Sequence, residues 1–121
     1  MSTVLLAEDD PLLLNVLRRM LRHAGYHVIA ARNGRDAWSL FQRATDPIDL
    51  VLTDVVMPHM SGTELAARIA DQQPELPLIL MTGYAPEDLA RRGLVLSRGH
   101  LLTKPFEHDG LLDLLRQLLP T

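Results

Sequence analysis

Short apolar runs alternate with amphipathic segments along the whole chain. The apolar runs predict five strands, because they are brief and nearly free of charge, as strands buried on both faces are. Between them, apolar residues recur at helical spacing and predict five helices. The predicted strands cover residues 4–7, 27–30, 48–53, 78–81 and 100–103, and the predicted helices cover residues 11–24, 34–44, 63–73, 86–92 and 107–119.

The order of these elements decides the fold class. Strands that alternate with helices form a parallel sheet, and right-handed crossovers then place helices on both of its faces. We therefore predict an α/β fold with a five-stranded parallel sheet, a flavodoxin-like doubly wound (βα)5 arrangement. Residues 1–121 are expected to form a single domain, since this length can bury such a core without disulfide or metal staples.

Residues that favour turns and helix ends mark the boundaries. Asp10 followed by Pro11 is typical of a helix N-terminus, and Gly25 is typical of a helix C-terminus. Residues 55–62 contain too many breakers to continue the third strand and predict a loop. Residues 93–99 show no clear period, so no element is predicted there.

Reactive side chains lie at or just beyond the ends of four predicted strands. Glu8 and Asp9 follow the first strand, Asp54 the third, Thr82 the fourth and Lys104 the fifth. The carboxyl ends of parallel strands meet at one edge of the sheet, where open α/β sheets bind their ligands. Carboxylates, a hydroxyl and an amine at one place indicate a site for a divalent cation and a phosphate group.

The composition argues against several other classes of function. The chain has no cysteine, a formal net charge of -3 and a pI near 5.9. Disulfides and thiolate metal sites are thus excluded, and a basic surface for nucleic acid is missing. No apolar run approaches the roughly 20 residues of a membrane span, and the N-terminus does not resemble a signal peptide. We expect a cytoplasmic domain without nucleic-acid or membrane contacts.

Four motifs resemble those of one protein family. They are Glu8-Asp9-Asp10 after an apolar strand, Asp54-Val55-Val56-Met57-Pro58 with Gly62 closing the loop, Thr82-Gly83, and Lys104-Pro105-Phe106. In this order they resemble the receiver domain of bacterial two-component response regulators, and the resemblance covers residues 4–119. In that family a phosphoryl group passes from a phosphohistidine to an aspartate. The implied partner is a histidine kinase or a histidine phosphotransfer protein.

The resemblance implies a metal site around the phosphoacceptor. Asp54 corresponds to the phosphoacceptor, and Glu8 and Asp9 correspond to the acidic pair that holds Mg²⁺ or Mn²⁺ beside it. The backbone carbonyl of Val56 is the expected further ligand. The chemistry agrees, because a divalent cation offsets the repulsion between clustered carboxylates and an incoming phosphoryl group.

The resemblance also assigns roles to the two remaining residues. Thr82 is expected to donate its hydroxyl to a phosphoryl oxygen, and Lys104 to pair with the carboxylate of Asp54 before transfer and with the phosphate afterwards. The bond between Lys104 and Pro105 is expected to be cis.

Three positions leave alternatives open. The family commonly carries Tyr or Phe three residues before the lysine, where this chain has Leu101, so the aromatic part of the usual switch is missing or replaced. Tyr84 either supplies the aromatic side chain of the switch instead or is an exposed loop residue without that role. His59 is an exposed loop histidine or a residue that controls access of the phosphodonor.

Three classes of function use a site of this kind: a phosphoacceptor signalling domain, a phosphatase and a receiver fold that only binds partners. A phosphatase with an aspartyl-phosphate intermediate would want a second acid two residues after the nucleophile, and that position is Val56. A receiver that only binds partners is disfavoured by the intact set of Asp54, Thr82 and Lys104. We therefore predict a signalling domain that assists its own phosphorylation and dephosphorylation, and not an enzyme.

The local sequences around Asp54 and Thr82 resemble most those of receivers in hybrid histidine kinases. A stand-alone response regulator is the alternative. In a hybrid kinase the full-length protein would be a histidine kinase.

The final helix carries more leucines than one stripe can bury, so some are expected to stay exposed. Leu94, Val95 and Leu96 add apolar area on the neighbouring segment. The face of the fourth helix, fifth strand and fifth helix is thus the predicted surface for a partner or homodimer, and phosphorylation is expected to order or shift residues 93–99 there.

Overall fold

The computed structural model of the protein describes residues 1–94 and 99–119. The bounds of its elements are β1 Thr3–Ala7, α1 Pro11–His23, β2 His27–Ala31, α2 Gly34–Arg43, β3 Leu50–Asp54, α3 Gly62–Gln72, β4 Leu78–Thr82, α4 Pro86–Arg91, β5 His100–Thr103 and α5 His108–Leu118. These bounds lie within two residues of the predicted ones. Among the described residues, no helix has the length and apolar character needed to cross a membrane.

The strands form one parallel sheet in the order β2-β1-β3-β4-β5. In its register Val4 pairs with Val28 on one side and with Leu50 on the other, and Leu52 pairs with Ile79. The strand order reverses at β1, so the carboxyl ends of β1 and β3 border the crevice where doubly wound sheets bind ligands. The predicted fold class is confirmed.

An apolar layer covers each face of the sheet. Helices α1 and α5 pack on one face, and helices α2, α3 and α4 pack on the other. Successive strand residues alternate between the layers, as the pleat requires. The first layer includes Val4, Leu6, Leu17, Leu21, Leu52, Ile79, Leu111 and Leu115. The second includes Leu5, Ala37, Phe41, Val51, Leu65, Ile69, Leu80 and Leu89.

Local caps hold the loop after β1 in place. The Asp10 carboxylate accepts a hydrogen bond from the Leu12 N–H at 3.0 Å, and Pro11 occupies the first helical position. Gly25 ends the segment at a φ of +100°, a left-handed conformation that glycine adopts without a steric penalty. Helix α1 therefore begins directly after the acidic residues and keeps them at the edge of the sheet.

The third strand is shifted from its predicted position. It begins at Leu50 rather than at residue 48, and it ends at Asp54 rather than at residue 53. Pro47 has no N–H for a sheet ladder, and the Asp49 carboxylate instead accepts the Thr3 N–H at 2.7 Å. The residues before Leu50 are consequently a loop anchored to β1, and Asp54 is held as the last residue of a strand.

The expectation of exposed leucines on the final helix is wrong. Leu111 and Leu115 are buried, and Leu112, Leu114 and Leu118 are half-buried. Leu112, Leu114 and Leu118 pack against the same apolar layer as residues of α1 and β5, so α5 buries more than the single stripe of Leu111 and Leu115.

The face formed by α4, β5 and α5 has one exposed large apolar side chain among its described residues. This is Leu101, which is 36% exposed. Helix α4 is followed by Gly93 at a φ of +76°. Residues 95–98 of the irregular segment lie outside the described residues. They include Val95 and Leu96, which are expected to extend the apolar surface. The leucines of α5 therefore do not support the predicted homodimer, which stays a prediction.

Candidate functional site

The predicted site residues meet at the carboxyl edge of the sheet. Glu8 and Asp9 follow β1, Asp54 ends β3, Thr82 ends β4 and Lys104 follows β5. Glu8 and Thr82 are each 1% exposed and Asp54 is 8% exposed, whereas Asp9 is open to solvent. Polar groups buried to this extent need partners, and the site itself supplies them.

Three carboxylates form a cluster that fits a divalent cation. One oxygen from each of Glu8, Asp9 and Asp54 lies within 4.8 Å of the other two. Oxygen ligands of this kind suit Mg²⁺ or Mn²⁺, which retain waters and also bind phosphate oxygens. Val56 lies two residues beyond Asp54, with its side chain half-buried against the layer of α2, α3 and α4. The role of its carbonyl stays a prediction.

Lys104 bridges two of these carboxylates. Its Nζ donates to Glu8 Oε1 at 2.8 Å and lies 3.5 Å from Asp54 Oδ1. Its backbone N–H donates to the carbonyl of Thr82 at 2.7 Å. The peptide bond between Lys104 and Pro105 is cis, which confirms the prediction. The sequence placed the lysine beside Asp54 but did not reveal Glu8 as its nearer partner.

The electrostatics of the site favour binding of a cation. The pKa of Asp54 is raised from an ordinary 3.8 to about 7, mainly by burial and then by the negative charges of Glu8 and Asp9, while the charge of Lys104 lowers it. Burial lowers the pKa of Lys104, but its hydrogen bond to Glu8 and the charge of Asp54 outweigh burial, so the net direction is upward. The site thus has three carboxylates and one ammonium, which contacts two of them, and a divalent cation would relieve the excess negative charge.

The loop between β3 and α3 passes directly over Asp54. The Gly62 N–H donates to the Val55 carbonyl at 2.7 Å, and a side chain at Gly62 would collide with the backbone carbonyl of Asp54. Glycine is therefore needed for α3 to begin this close to the strand end. His59 is exposed, as expected, and has a φ of +70°, a region in which histidine is enriched among non-glycine residues.

Gly34 supports the same loop, which sequence reasoning missed. Gly34 is the buried first residue of α2, and a side chain there would collide with the backbone carbonyl of Met60. Met60 itself is buried in the layer of α2, α3 and α4. The Asn33-Gly34 pair signals a helix start, but a local pattern of this kind cannot indicate a contact with a distant loop.

Tyr84 also has partners that sequence reasoning missed. Its N–H donates to Thr82 Oγ1 at 3.0 Å, and its hydroxyl accepts a hydrogen bond from Arg92 Nη2 at 3.2 Å. The Arg92 guanidinium lies 4.4 Å from the centroid of the Tyr84 ring. Tyr84 is 37% exposed, yet it is held at both its backbone and its ring.

An apolar cleft borders the site beside α1. It has a volume of about 320 Å³ and is lined by Leu13, Leu17, Lys104, Pro105, Phe106 and His108. On the same helix, Leu12 is 79% exposed and Val16 is 45% exposed. Exposed apolar groups beside a polar site are typical of surfaces that contact other proteins. The helical pattern identified the buried stripe of α1 but left Leu12 and Val16 without an assignment.

Known proteins share the sequence pattern over nearly the whole length of this chain. The model of one family, the response regulator receiver domain, matches residues 4–116. The response regulator receiver protein CpdR of Brucella abortus (strain 2308) is 37% identical over 119 residues, which cover 98% of each chain. Several other curated relatives are longer, and the chain spans between 14% and 49% of their length.

Solved structures share the architecture. The receiver domain of a signal transduction histidine kinase from Syntrophus aciditrophicus is 29% identical with a TM-score of 0.87, covering 98% of this chain and 90% of that one. The receiver domain of a sensor histidine kinase from Pseudomonas aeruginosa PAO1 is 26% identical with a TM-score of 0.83, covering 97% and 96%. That protein has a magnesium ion coordinated in its active site cleft.

Proposed function

The chain belongs to the response regulator receiver family, and from this premise we propose that it accepts a phosphoryl group from a phosphohistidine on Asp54. A receiver domain is a signalling domain of two-component systems and not a conventional enzyme. One observation carries the proposal: Asp54 lies within 4.8 Å of two further carboxylates and 3.5 Å from an ammonium group. This combination suits the transfer of an anionic group to an anionic nucleophile.

Glu8, Asp9 and Asp54 would hold Mg²⁺ or Mn²⁺, with the carbonyl of Val56 as a further ligand. When bound, the cation offsets charge on the carboxylates and on the phosphoryl oxygens. The ionised Asp54 attacks the phosphorus atom, a new O–P bond forms, and the N–P bond to the donor imidazole breaks. The leaving imidazole keeps the electron pair and takes up a proton.

Lys104 and Thr82 stabilise the product in this proposal. The Lys104 ammonium pairs with the phosphoryl oxygens and balances the charge that they bring. The Thr82 hydroxyl donates to one of those oxygens. Thr82 ends β4, which pairs with β3, and Lys104 follows β5, which pairs with β4. Both groups are thus held in position by the sheet before the phosphoryl group arrives.

The phosphodonor, a histidine kinase or a histidine phosphotransfer protein, is proposed to dock over α1. Support comes from the apolar cleft that Lys104 borders and from the exposed Leu12 and Val16 on the same helix. A Leu12→Glu variant should still accept phosphate from acetyl phosphate but should lose transfer from the protein donor. Equal loss with both donors would place Leu12 in the fold or the site rather than in docking.

For the wider context, we propose the receiver of a hybrid histidine kinase. Receivers of histidine kinases among the solved structures support this proposal. A stand-alone regulator is the second candidate, because CpdR matches the chain over nearly its whole length. The coding sequence on either side of these residues would distinguish the two. The cytoplasmic location stays a prediction.

Mass spectrometry of the intact protein tests the proposed function. Incubation with acetyl phosphate and Mg²⁺ should add one phosphate to the wild type and to Asp46→Asn, an exposed aspartate at the opposite edge of the sheet. The Asp54→Asn variant should gain none. A gain that persists in Asp54→Asn, or one that forms equally well with a chelator, would contradict the proposal.

A further inference from the structure

Thr82 is connected to the end of α4 through the backbone N–H of Tyr84 and then through the side chain of Tyr84. Its Oγ1 accepts the Tyr84 N–H at 3.0 Å, and the Tyr84 hydroxyl accepts from Arg92 at 3.2 Å. The Arg92 guanidinium also lies over the Tyr84 ring, 4.4 Å from its centroid. A hydrogen bond and a cation–π contact from one guanidinium fix both the tilt and the position of the ring.

The chemistry of a hydroxyl allows Thr82 to serve both sides of this connection at once. A threonine hydroxyl has one hydrogen to donate and two lone pairs to accept with. Accepting the Tyr84 N–H uses one lone pair and leaves the hydrogen free for a phosphoryl oxygen on Asp54. The bond to Tyr84 therefore orients the hydroxyl before phosphorylation and can persist afterwards.

At the other end, Arg92 is the capping residue at the C-terminus of α4. Its backbone N–H donates to the carbonyls of Asp88 and Leu89 at 3.2 and 3.1 Å. Gly93 follows in the left-handed conformation, and the Leu94 N–H returns to the Leu89 carbonyl at 2.9 Å. This closed turn is a common helix C-terminal motif, so a displacement of Arg92 displaces the helix end with it.

We propose that Arg92 is a positioning residue that orients the Thr82 hydroxyl through Tyr84 and carries its movement on phosphorylation to the C-terminus of α4. This inference rests on the proposed function of Asp54. Leu101 offers no ring on β5, whereas Tyr84 supplies one between β4 and α4. In this chain the contact pair of Tyr84 and Arg92 provides a direct route from the phosphoryl site to the α4 surface.

Amide chemical shifts of the full chain with Mg²⁺ and beryllofluoride test this inference, with fluorine resonances reporting that the phosphoryl mimic is bound. The test variant is Arg92→Ala, and the matched control is Arg91→Ala, an exposed neighbour on α4 that pairs with Asp88 instead. Tyr84→Phe removes the hydroxyl acceptor and keeps the ring. Arg92→Lys keeps the charge and removes the planar group.

All four variants should bind beryllofluoride, because none lies in the acidic cluster. In the wild type and Arg91→Ala, binding should shift the amides of residues 88–94. Arg92→Ala should lose most of that shift while keeping the shifts around Asp54, and Tyr84→Phe and Arg92→Lys should lose part of it. Wild-type shifts in Arg92→Ala, or equal loss in Arg91→Ala, would overturn the inference. A wild type without a bound fluorine signal would instead overturn the proposed function and withdraw this inference with it.

Discussion

Lys104 donates to Glu8 at 2.8 Å and lies farther, at 3.5 Å, from Asp54. The nearer partner of the ammonium is thus a carboxylate that we assign to the metal. The other oxygen of Glu8 accepts the Asp10 N–H at 3.1 Å, which holds the carboxylate in place. A cation at the acidic cluster would compete with Lys104 for Glu8 and leave the ammonium free to move toward Asp54 and its phosphoryl group.

Glu8→Gln should weaken Mg²⁺ binding by about 10-fold or more, since changes in and around metal ligands commonly cost that much affinity. The matched control is Asp10→Asn, which removes the same charge from the neighbouring helix cap and keeps a good capping residue. Titration calorimetry measures both affinities. Equal weakening in the two variants would mean that general charge, and not ligation by Glu8, sets the affinity.

The raised pKa of Asp54 predicts how stability depends on pH. Between 3.8 and about 7 the folded protein holds a proton that the unfolded chain has released, so the free energy of unfolding falls as pH rises through this window. Asp54→Asn removes this titration. In the presence of a chelator, the free energy of unfolding of the variant should rise relative to that of the wild type as pH rises. At pH 8 it should be higher than that of the wild type by roughly 1–3 kcal/mol.

Urea unfolding at pH 5 and pH 8 measures this difference. Asp46→Asn, at an exposed position, is the control and should show no such trend. Mg²⁺ should reduce the advantage of Asp54→Asn at pH 8, because a bound cation stabilises the ionised Asp54. An advantage that is the same at both pH values would show that Asp54 does not titrate in this range.

Gly34→Ala should destabilise the fold, although alanine is ordinarily the better helix former. The new methyl group would press on the Met60 carbonyl, and overpacking of this kind costs about 1–3 kcal/mol. Gly110→Ala in α5 is the matched control, since a methyl group there meets no atom within 4 Å. It should stabilise the protein by about 0.5–1 kcal/mol. Thermal unfolding of both variants compares them, and a stabilising effect of Gly34→Ala would remove the contact from our account.

The strands, the helices and the edge at which the site forms were predictable from sequence. Short apolar runs locate the strands, and residues such as Pro11 and Gly25 mark the ends of helices. Because the carboxyl ends of parallel strands lie at one edge of the sheet, the residues that follow them are brought together. Glu8, Asp9, Asp54, Thr82 and Lys104 accordingly meet where they were expected. The start of β3 was misplaced, because Pro47 has no N–H for the sheet and the Asp49 carboxylate accepts the Thr3 N–H from β1.

Contacts between distant segments could not be predicted in the same way. The closer pairing of Lys104 with Glu8, the support of Met60 by Gly34 and the hold of Arg92 on Tyr84 each depend on how separate elements meet. The exposure predicted for the α5 leucines was wrong for the same reason, because their burial depends on the layer that they share with α1 and β5 rather than on the period of α5 itself.

Chemical mapping of the modified residue tests the central claim most directly. After incubation with acetyl phosphate and Mg²⁺, borohydride reduces an aspartyl phosphate to homoserine, and peptide sequencing by mass spectrometry locates it. We predict homoserine at Asp54 and unmodified Asp9 and Asp10, with no conversion when Mg²⁺ is chelated. Homoserine at Asp9 or Asp10, with Asp54 intact, would contradict the assignment of Asp54 as the phosphoacceptor.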